Sequence, residues 1–300
     1  MDNSAFAEQD FKFKTIGVAG LGLIGGSMAK TIREKYPCKL LGYDKRNEVN
    51  DYLDESGFLD GVLGEDNIGE CDLIIVALYP GVTVDYVKSM LPYIQKGSIV
   101  TDCCGIKKAV CDSLSKECAS YGVRFVGAHP MAGIEKSGYD YSFAGLFDNA
   151  SMILCRDEYT DENAIGELSE FYLKLGFGQI KESNPVEHDR VIAYTSQLAH
   201  VVSGAYIKGS TCDTRYGFSA GSFKDMTRVA FLNETMWTEL FLENGESLSK
   251  EIAELILHLD EFKEAIDNND RDKLFTLLKE GRLAKENDER KEQIWKEKFM

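Results

Sequence analysis

Five glycines fall within the ten residues "GVAGLGLIGG", Gly17 to Gly26, directly after an apolar run and directly before a segment with helical spacing. Glycine weakens strands and helices alike, so such a cluster needs a reason. Gly20, Gly22 and Gly25 keep the spacing G-x-G-x-x-G, which becomes informative where a strand turns into a helix. In that setting Gly20 makes a tight turn, Gly22 lets a pyrophosphate approach the backbone, and Gly25 lets helix and strand pack closely. The amides that open the helix, at Leu23 and Ile24, then face the phosphates from the positive end of the helix dipole. The next strand-like run, "KLLGYD", ends on Asp44, where a carboxylate accepts both ribose hydroxyls of an adenosine. A 2′-phosphate is repelled there, so NAD is favoured over NADP, although the neighbouring Lys45 and Arg46 pull the other way.

The rest of the first half extends this pattern. "CDLIIVAL", "SIVTDCC" and "RFVGAHP" read as strands, "GVTVDYVKSMLPYI" and "KKAVCDSLSKECASY" as helices between them. "ASMILCRDE" and "GQIKES" add further strands around the helical "DENAIGELSEFYLKLG". Strands separated by helices imply parallel pairing in a sheet covered on both faces. After Pro185 only long helical patterns follow, and in one of them Leu248, Ile252, Leu255, Ile256, Leu259, Phe262 and Ile266 form a single apolar stripe. That stripe must be buried, either within the chain or against a second copy. The expected architecture is a Rossmann-type, doubly wound parallel α/β sheet over residues 1–183, which binds the dinucleotide, and an all-α domain over 184–300. The last residues, "LAKENDERKEQIWKEKFM", read as a charged, frayed helix.

Composition removes several function classes. A net charge of −16 argues against a nucleic-acid partner, which a basic face would serve. The longest apolar runs are too short to span a bilayer. "MDNSAFAEQDFKFK" lacks the hydrophobic core of a signal peptide, so the chain reads as soluble and cytoplasmic. The eight cysteines contain no C-x-x-C pair, and they read as reduced thiols with no metal site.

The chemistry must come from histidines and from cations in an acidic chain. His129, in "GAHPMAGIEKSG", follows a strand end on the edge where such sheets bind ligands. It reads equally as a base working near neutral pH or as a histidine that fixes its loop. Lys224 and Arg228, four apart in "GSFKDMTRVA", share a face on a helix and suit a carboxylate-bearing ligand. By spacing alone, His200 reads as a core histidine, His188 as a local helix-start residue and His258 as structural.

Taken together, "GLGLIGGS", "TDCCGIKK", "GAHPMAGIEKSG", "EHDRVIAYTSQLAH", "FKDMTRVA" and "MWTELFLEN" resemble the prephenate dehydrogenase family of tyrosine biosynthesis, which includes arogenate-using relatives. The resemblance implies a nucleotide-binding domain followed by a helical domain that joins two chains into a homodimer. It implies NAD-dependent oxidative decarboxylation of prephenate to 4-hydroxyphenylpyruvate, with arogenate as the alternative small-molecule substrate. It makes His129 the base and Arg228 the carboxylate ligand. His200 becomes a second active-site histidine, Ser196 and Glu135 pocket residues, and Lys224 a further candidate. Many relatives carry a serine where this chain has Gly105, and "SQLAH" departs from the commoner "SHLPH" at Gln197 and Ala199. The missing serine gives some footing to a non-catalytic NAD-binding sensor. No appended regulatory domain is expected.

Overall fold

The computed structural model describes residues 11–299, so the N-terminal stretch read above as lacking a signal peptide lies outside it up to residue 10. The described chain falls into two compact units, one up to Ser247 and one from Leu248 onward.

The first unit is built on a seven-stranded sheet. Its strands are β1 (Thr15–Ala19), β2 (Lys39–Tyr43), β3 (Leu73–Val76), β4 (Ile99–Asp102), β5 (Arg124–Pro130), β6 (Ser151–Cys155) and β7 (Gln179–Ser183). They lie in the order β2-β1-β3-β4-β5-β6-β7. The chain moves to one side of β1 for β2 and returns to the other for β3, and that reversal opens a crevice at the carboxyl ends of the strands. Every residue of β3 and β4 is buried, as expected for strands covered on both faces. β7 closes the edge with exposed Lys181 and Glu182, which discourage further strand pairing.

The pairing is parallel except between β5 and β6, which run antiparallel, Gly127 facing Cys155. The sheet is thus the doubly wound parallel one expected, with this single antiparallel pair added. The connection between β5 and β6 contains only a short 3₁₀ turn at Tyr139–Tyr141, and without a crossover helix the chain comes back beside the strand it left.

The helices of this unit are α1 (Leu23–Lys35), α2 (Asn47–Glu55), α3 (Pro80–Met90), α4 (Lys108–Tyr121) and α5 (Glu162–Lys174), then α6 (Pro185–Ile192), α7 (Leu198–Tyr206), α8 (Gly221–Thr227) and α9 (Glu234–Glu243). One core face packs Met28 and Ile32 against Leu168, Phe171 and Tyr172; the other gathers Leu91, Val110 and Leu114. The sequence pattern misses α2 because that helix buries only Asn50 and Leu53, too few positions to show a period. The change of character after β7 has a local cause. Asn184 accepts a hydrogen bond from the Glu187 N–H and Pro185 occupies the first helical turn, so α6 starts sharply. Between α6 and α7 the backbone widens into one π-helical turn, Ala193–Gln197.

The second unit consists of α10 (Gly245–Asp267, which begins just before the division) and α11 (Arg271–Phe299), the latter a continuous helix to its end. Of the apolar stripe on α10, Leu248 is buried, but Ile256, Leu259 and Ile266 are more than half exposed. No described helix is long and apolar enough to cross a membrane.

Candidate active site

The glycine turn has the geometry its spacing requires. Gly20 sits at φ +89°, and a Cβ there would lie 2.4 Å from the Ala77 carbonyl oxygen. A Cβ on Gly25 would lie 1.9 Å from the oxygen of Gly20, so the start of α1 closes on the turn as only glycine allows. A Cβ on Gly22 would meet nothing within 4 Å. Gly22 caps α1 without a side-chain partner, and Gly22, Leu23 and Ile24 face a cleft of about 600 Å³. Open space before uncapped helix amides fits a dinucleotide pyrophosphate.

At the end of β2, Asp44 is buried. It accepts hydrogen bonds from the Leu21 N–H (3.0 Å), the Arg46 N–H (3.0 Å) and the Arg46 side chain. Asn50 braces the Asp44 backbone through both its N–H and its carbonyl. Burial opposes the charge on Asp44, yet the Arg46 and Leu21 donors outweigh it and hold the carboxyl below its usual range. Asp44, Arg46 and the exposed Lys45 lie outside the lining of the 600 Å³ cleft.

His129 stands in the cleft wall on the carboxyl end of β5. Its Nδ1 lies 2.9 Å from Nε2 of His188, and Nδ1 of His188 lies 2.7 Å from Oδ1 of Asp189. The carboxylate also accepts the Lys107 and Lys108 N–H groups, so it takes the Nδ1 proton of His188 as an acceptor. The tautomers follow. His188 carries its proton on Nδ1 and accepts at Nε2 from the Nδ1–H of His129, which leaves the lone pair of His129 on Nε2. Burial, then His188, then the Lys107 charge push the His129 pKa well below that of a free histidine, so its imidazole is neutral at neutral pH. This corrects the local role read for His188, whose ring bridges two site residues.

Beneath His129, the side chains of Lys107 and Asp102 form an ion pair with no exposure to solvent. Asp102 also accepts the Ala128 N–H (3.0 Å) and the Cys104 N–H (2.9 Å), so it ties the end of β4 to the strand that carries His129.

The helical wall supplies the rest. The π-helical turn contributes Ser196 and Gln197 to the lining. Gln197 is buried and donates to the Leu240 carbonyl, and Asn244 donates to both Gln197 and the Asp189 carbonyl. His200 donates its Nδ1–H to the Val229 carbonyl (3.0 Å) and packs its ring 4.0 Å from that of Trp237. Arg228 pairs with Glu135 from the loop after β5. The Glu135 carboxyl lies below its usual range, through its own backbone N–H and then the Arg228 guanidinium.

One cleft therefore collects His129, His200, Arg228, Ser196 and Glu135 with Gly22, Leu23 and Ile24 of the glycine turn. Lys224 does not line it. α8 ends at Thr227, and Arg228 begins a 3₁₀ turn in which Val229 leaves helical geometry (φ −92°, ψ 18°).

Residues 28–181 match the nucleotide-binding domain of prephenate dehydrogenase, and residues 184–280 match the dimerization domain of prephenate dehydrogenase. The chain belongs to the prephenate dehydrogenase family. It is 33% identical to a cyclohexadienyl dehydrogenase of Zymomonas mobilis over 91% of this chain and 95% of that one. Its structure is similar to that of prephenate dehydrogenase from Aquifex aeolicus, solved with hydroxyphenyl propionate and NAD+, with a TM-score of 0.80, 27% identity and coverage of 93% and 99%. It is also similar to the arogenate dehydrogenase of Synechocystis, with a TM-score of 0.77, 26% identity and coverage of 91% and 99%.

Gly105, where the resemblance implies a serine, also borders the site. A Cβ built on Gly105 would lie 4.0 Å from Nε2 of His129 and 3.5 Å from Leu240 Cδ2, both ordinary contact distances. The position borders the lone pair of the imidazole and has room for a small side chain. Among residues that the sequence reading left out of the site, His188 bonds His129 directly, Asp189 bonds His188, Trp237 packs on His200, and the Asp102–Lys107 pair lies buried nearby. The adjacent His188 and Asp189 in "EHDR" were the available signal for the first two of these.

Proposed function

We propose that the chain is an NAD-dependent prephenate dehydrogenase with His129 as its base. The observation that carries this reading is the run Asp189–His188–His129, which ends on an Nε2 lone pair in the cleft wall. Bound at the Gly20–Gly25 turn and Asp44, NAD supplies the acceptor for the hydride that leaves the carbinol carbon. His129 takes the 4-hydroxyl proton as the carbonyl develops. Its new positive charge is shared through the Nδ1–H to His188 and from there to Asp189, the arrangement by which a buried carboxylate stabilises an imidazolium. As the bond to the ring carboxylate breaks and CO2 leaves, its electron pair completes the aromatic ring, and the oxygen recovers its proton. The hydroxyl thus begins and ends protonated, and His129 works as base and then acid.

Arg228 holds a substrate carboxylate in this reading, which exchanges one anionic partner, Glu135, for another. Arg228→Ala should raise KM for the substrate about ten- to a hundredfold, the worth of a charge-assisted hydrogen bond, with NAD affinity little changed. An unaltered KM would take Arg228 out of the substrate site.

Gly105→Ser should raise kcat about two- to tenfold, because the hydroxyl would gain one hydrogen bond to the developing charge beside Nε2. A fall in kcat would mean that Leu240 cannot accept the larger side chain.

Glu135 supports a second reading. A carboxylate at the cleft suits the ammonium of arogenate, which differs from prephenate only in carrying an amino group where prephenate has a keto group. The deciding experiment follows NADH or NADPH absorbance with NAD or NADP crossed against prephenate or arogenate. Turnover with NAD and prephenate is expected. Turnover with arogenate alone would assign the sister activity. Silence in all four mixtures with NAD still bound would leave a nucleotide-binding protein without this chemistry. The exposed Ile256, Leu259 and Ile266 of α10 support a homodimer through the helical part, since a stripe of that size is costly to leave in water.

A further inference from the structure

The Asp44 carboxylate has no acceptor direction left for a ribose. A carboxylate offers about four lone-pair directions, two on each oxygen. Oδ1 accepts the Arg46 N–H at 3.0 Å and the Arg46 Nε–H at 2.8 Å. Oδ2 accepts the Leu21 N–H at 3.0 Å and an Arg46 Nη2–H at 3.3 Å. The two backbone donors are fixed, one in the glycine turn and the other at the cap of α2. The two side-chain donors are different, because the Arg46 side chain is 43% exposed on a flexible stem while Asp44 keeps only 8%. A diol that donates to Asp44 must enter where the guanidinium now sits.

We infer that the Arg46 side chain and the adenosine ribose compete for Asp44, so that cofactor binding displaces the guanidinium from the carboxylate. The inference rests on the reading of Asp44 as the ribose acceptor. Its cost is modest, because the Arg46 side chain is 43% exposed, water receives the freed guanidinium, and the ribose hydroxyls replace it as donors to Asp44. Its second consequence concerns selectivity. Once displaced, the guanidinium stands at the ribose edge, where it meets a 2′-phosphate if one is present and only water if none is. Arg46 therefore weakens NAD and supports NADP, against the repulsion that Asp44 exerts on the phosphate.

The test is direct binding of NAD and of NADP, by calorimetry, to the wild-type protein, Arg46→Ala and Asp44→Asn, with circular dichroism to confirm folding. Arg46→Ala should tighten NAD about two- to fivefold, the strength of the pair it removes, and should weaken NADP. Asp44→Asn should weaken NAD about tenfold or more, because its amide accepts on one atom only. If Arg46→Ala leaves NAD unchanged or weaker while Asp44→Asn weakens it, the competition is wrong and the ribose reading stands. If Asp44→Asn binds NAD as the wild type does, the ribose reading itself falls, and the competition falls with it.

Discussion

His129→Asn should lower kcat by roughly 10²–10⁴, the usual worth of general acid–base catalysis, while NAD binds as before. Asparagine preserves a donor toward His188 and removes the basic nitrogen, so the loss reports on proton transfer rather than on collapse of the wall. The pH profile carries the same information with a definite sign. Burial, His188 and Lys107 hold the His129 pKa well below the ordinary 6.5, and only the neutral ring can act as base. kcat/KM should therefore stay level as the pH falls through 6.5 and decline only at lower pH. Near-normal turnover in the Asn variant, or a limb centred at or above 6.5, would remove His129 from this role. His188→Asn offers a finer check, because a positioning residue should shift the acid limb as well as the rate.

Lys107→Met should destabilise the protein by about 3–5 kcal/mol, because it strands Asp102 as an uncompensated buried charge. Both side chains have zero exposure, and the lysine keeps its proton because the Asp102 carboxylate more than offsets burial. Denaturant unfolding measures the loss directly. Replacing both partners with apolar residues should recover part of it. The recovery is incomplete, since the Ala128 and Cys104 N–H groups lose the acceptor that Asp102 provides. A loss under about 1 kcal/mol in the single variant would show that water reaches the pair.

These two expectations differ in how far the sequence announced them. His129 was visible as a histidine beside a strand end; the structure places it and Pro130 within the last residues of β5. Lys107 was not, because a lysine in "GIKKAV" has the spacing of any solvated helix start, and its burial depends on Asp102 arriving from β4. His188 shows the same limit. Its partners, His129 and Asp189, lie 59 residues away and next door, and only the folded chain turns a local helix-start histidine into a bridge. Lys224 marks the opposite limit, since helical spacing puts it four residues before Arg228 while only Arg228 of the two lines the cleft.

By itself the sequence determined the seven strands, the glycine turn and the helical second half, because each depends on local periods and on backbone freedoms that single residues carry. It also carried the family, through short motifs whose order survives divergence. Only the tertiary structure decided that β6 runs back along β5, that Ser196 and Gln197 sit in a π-helical turn lining the cleft, and that His129 ends a chain of three side chains. Those features are relations between residues distant in sequence or between neighbouring backbone turns, and their energies exist only once burial has removed the water that would otherwise satisfy each group separately.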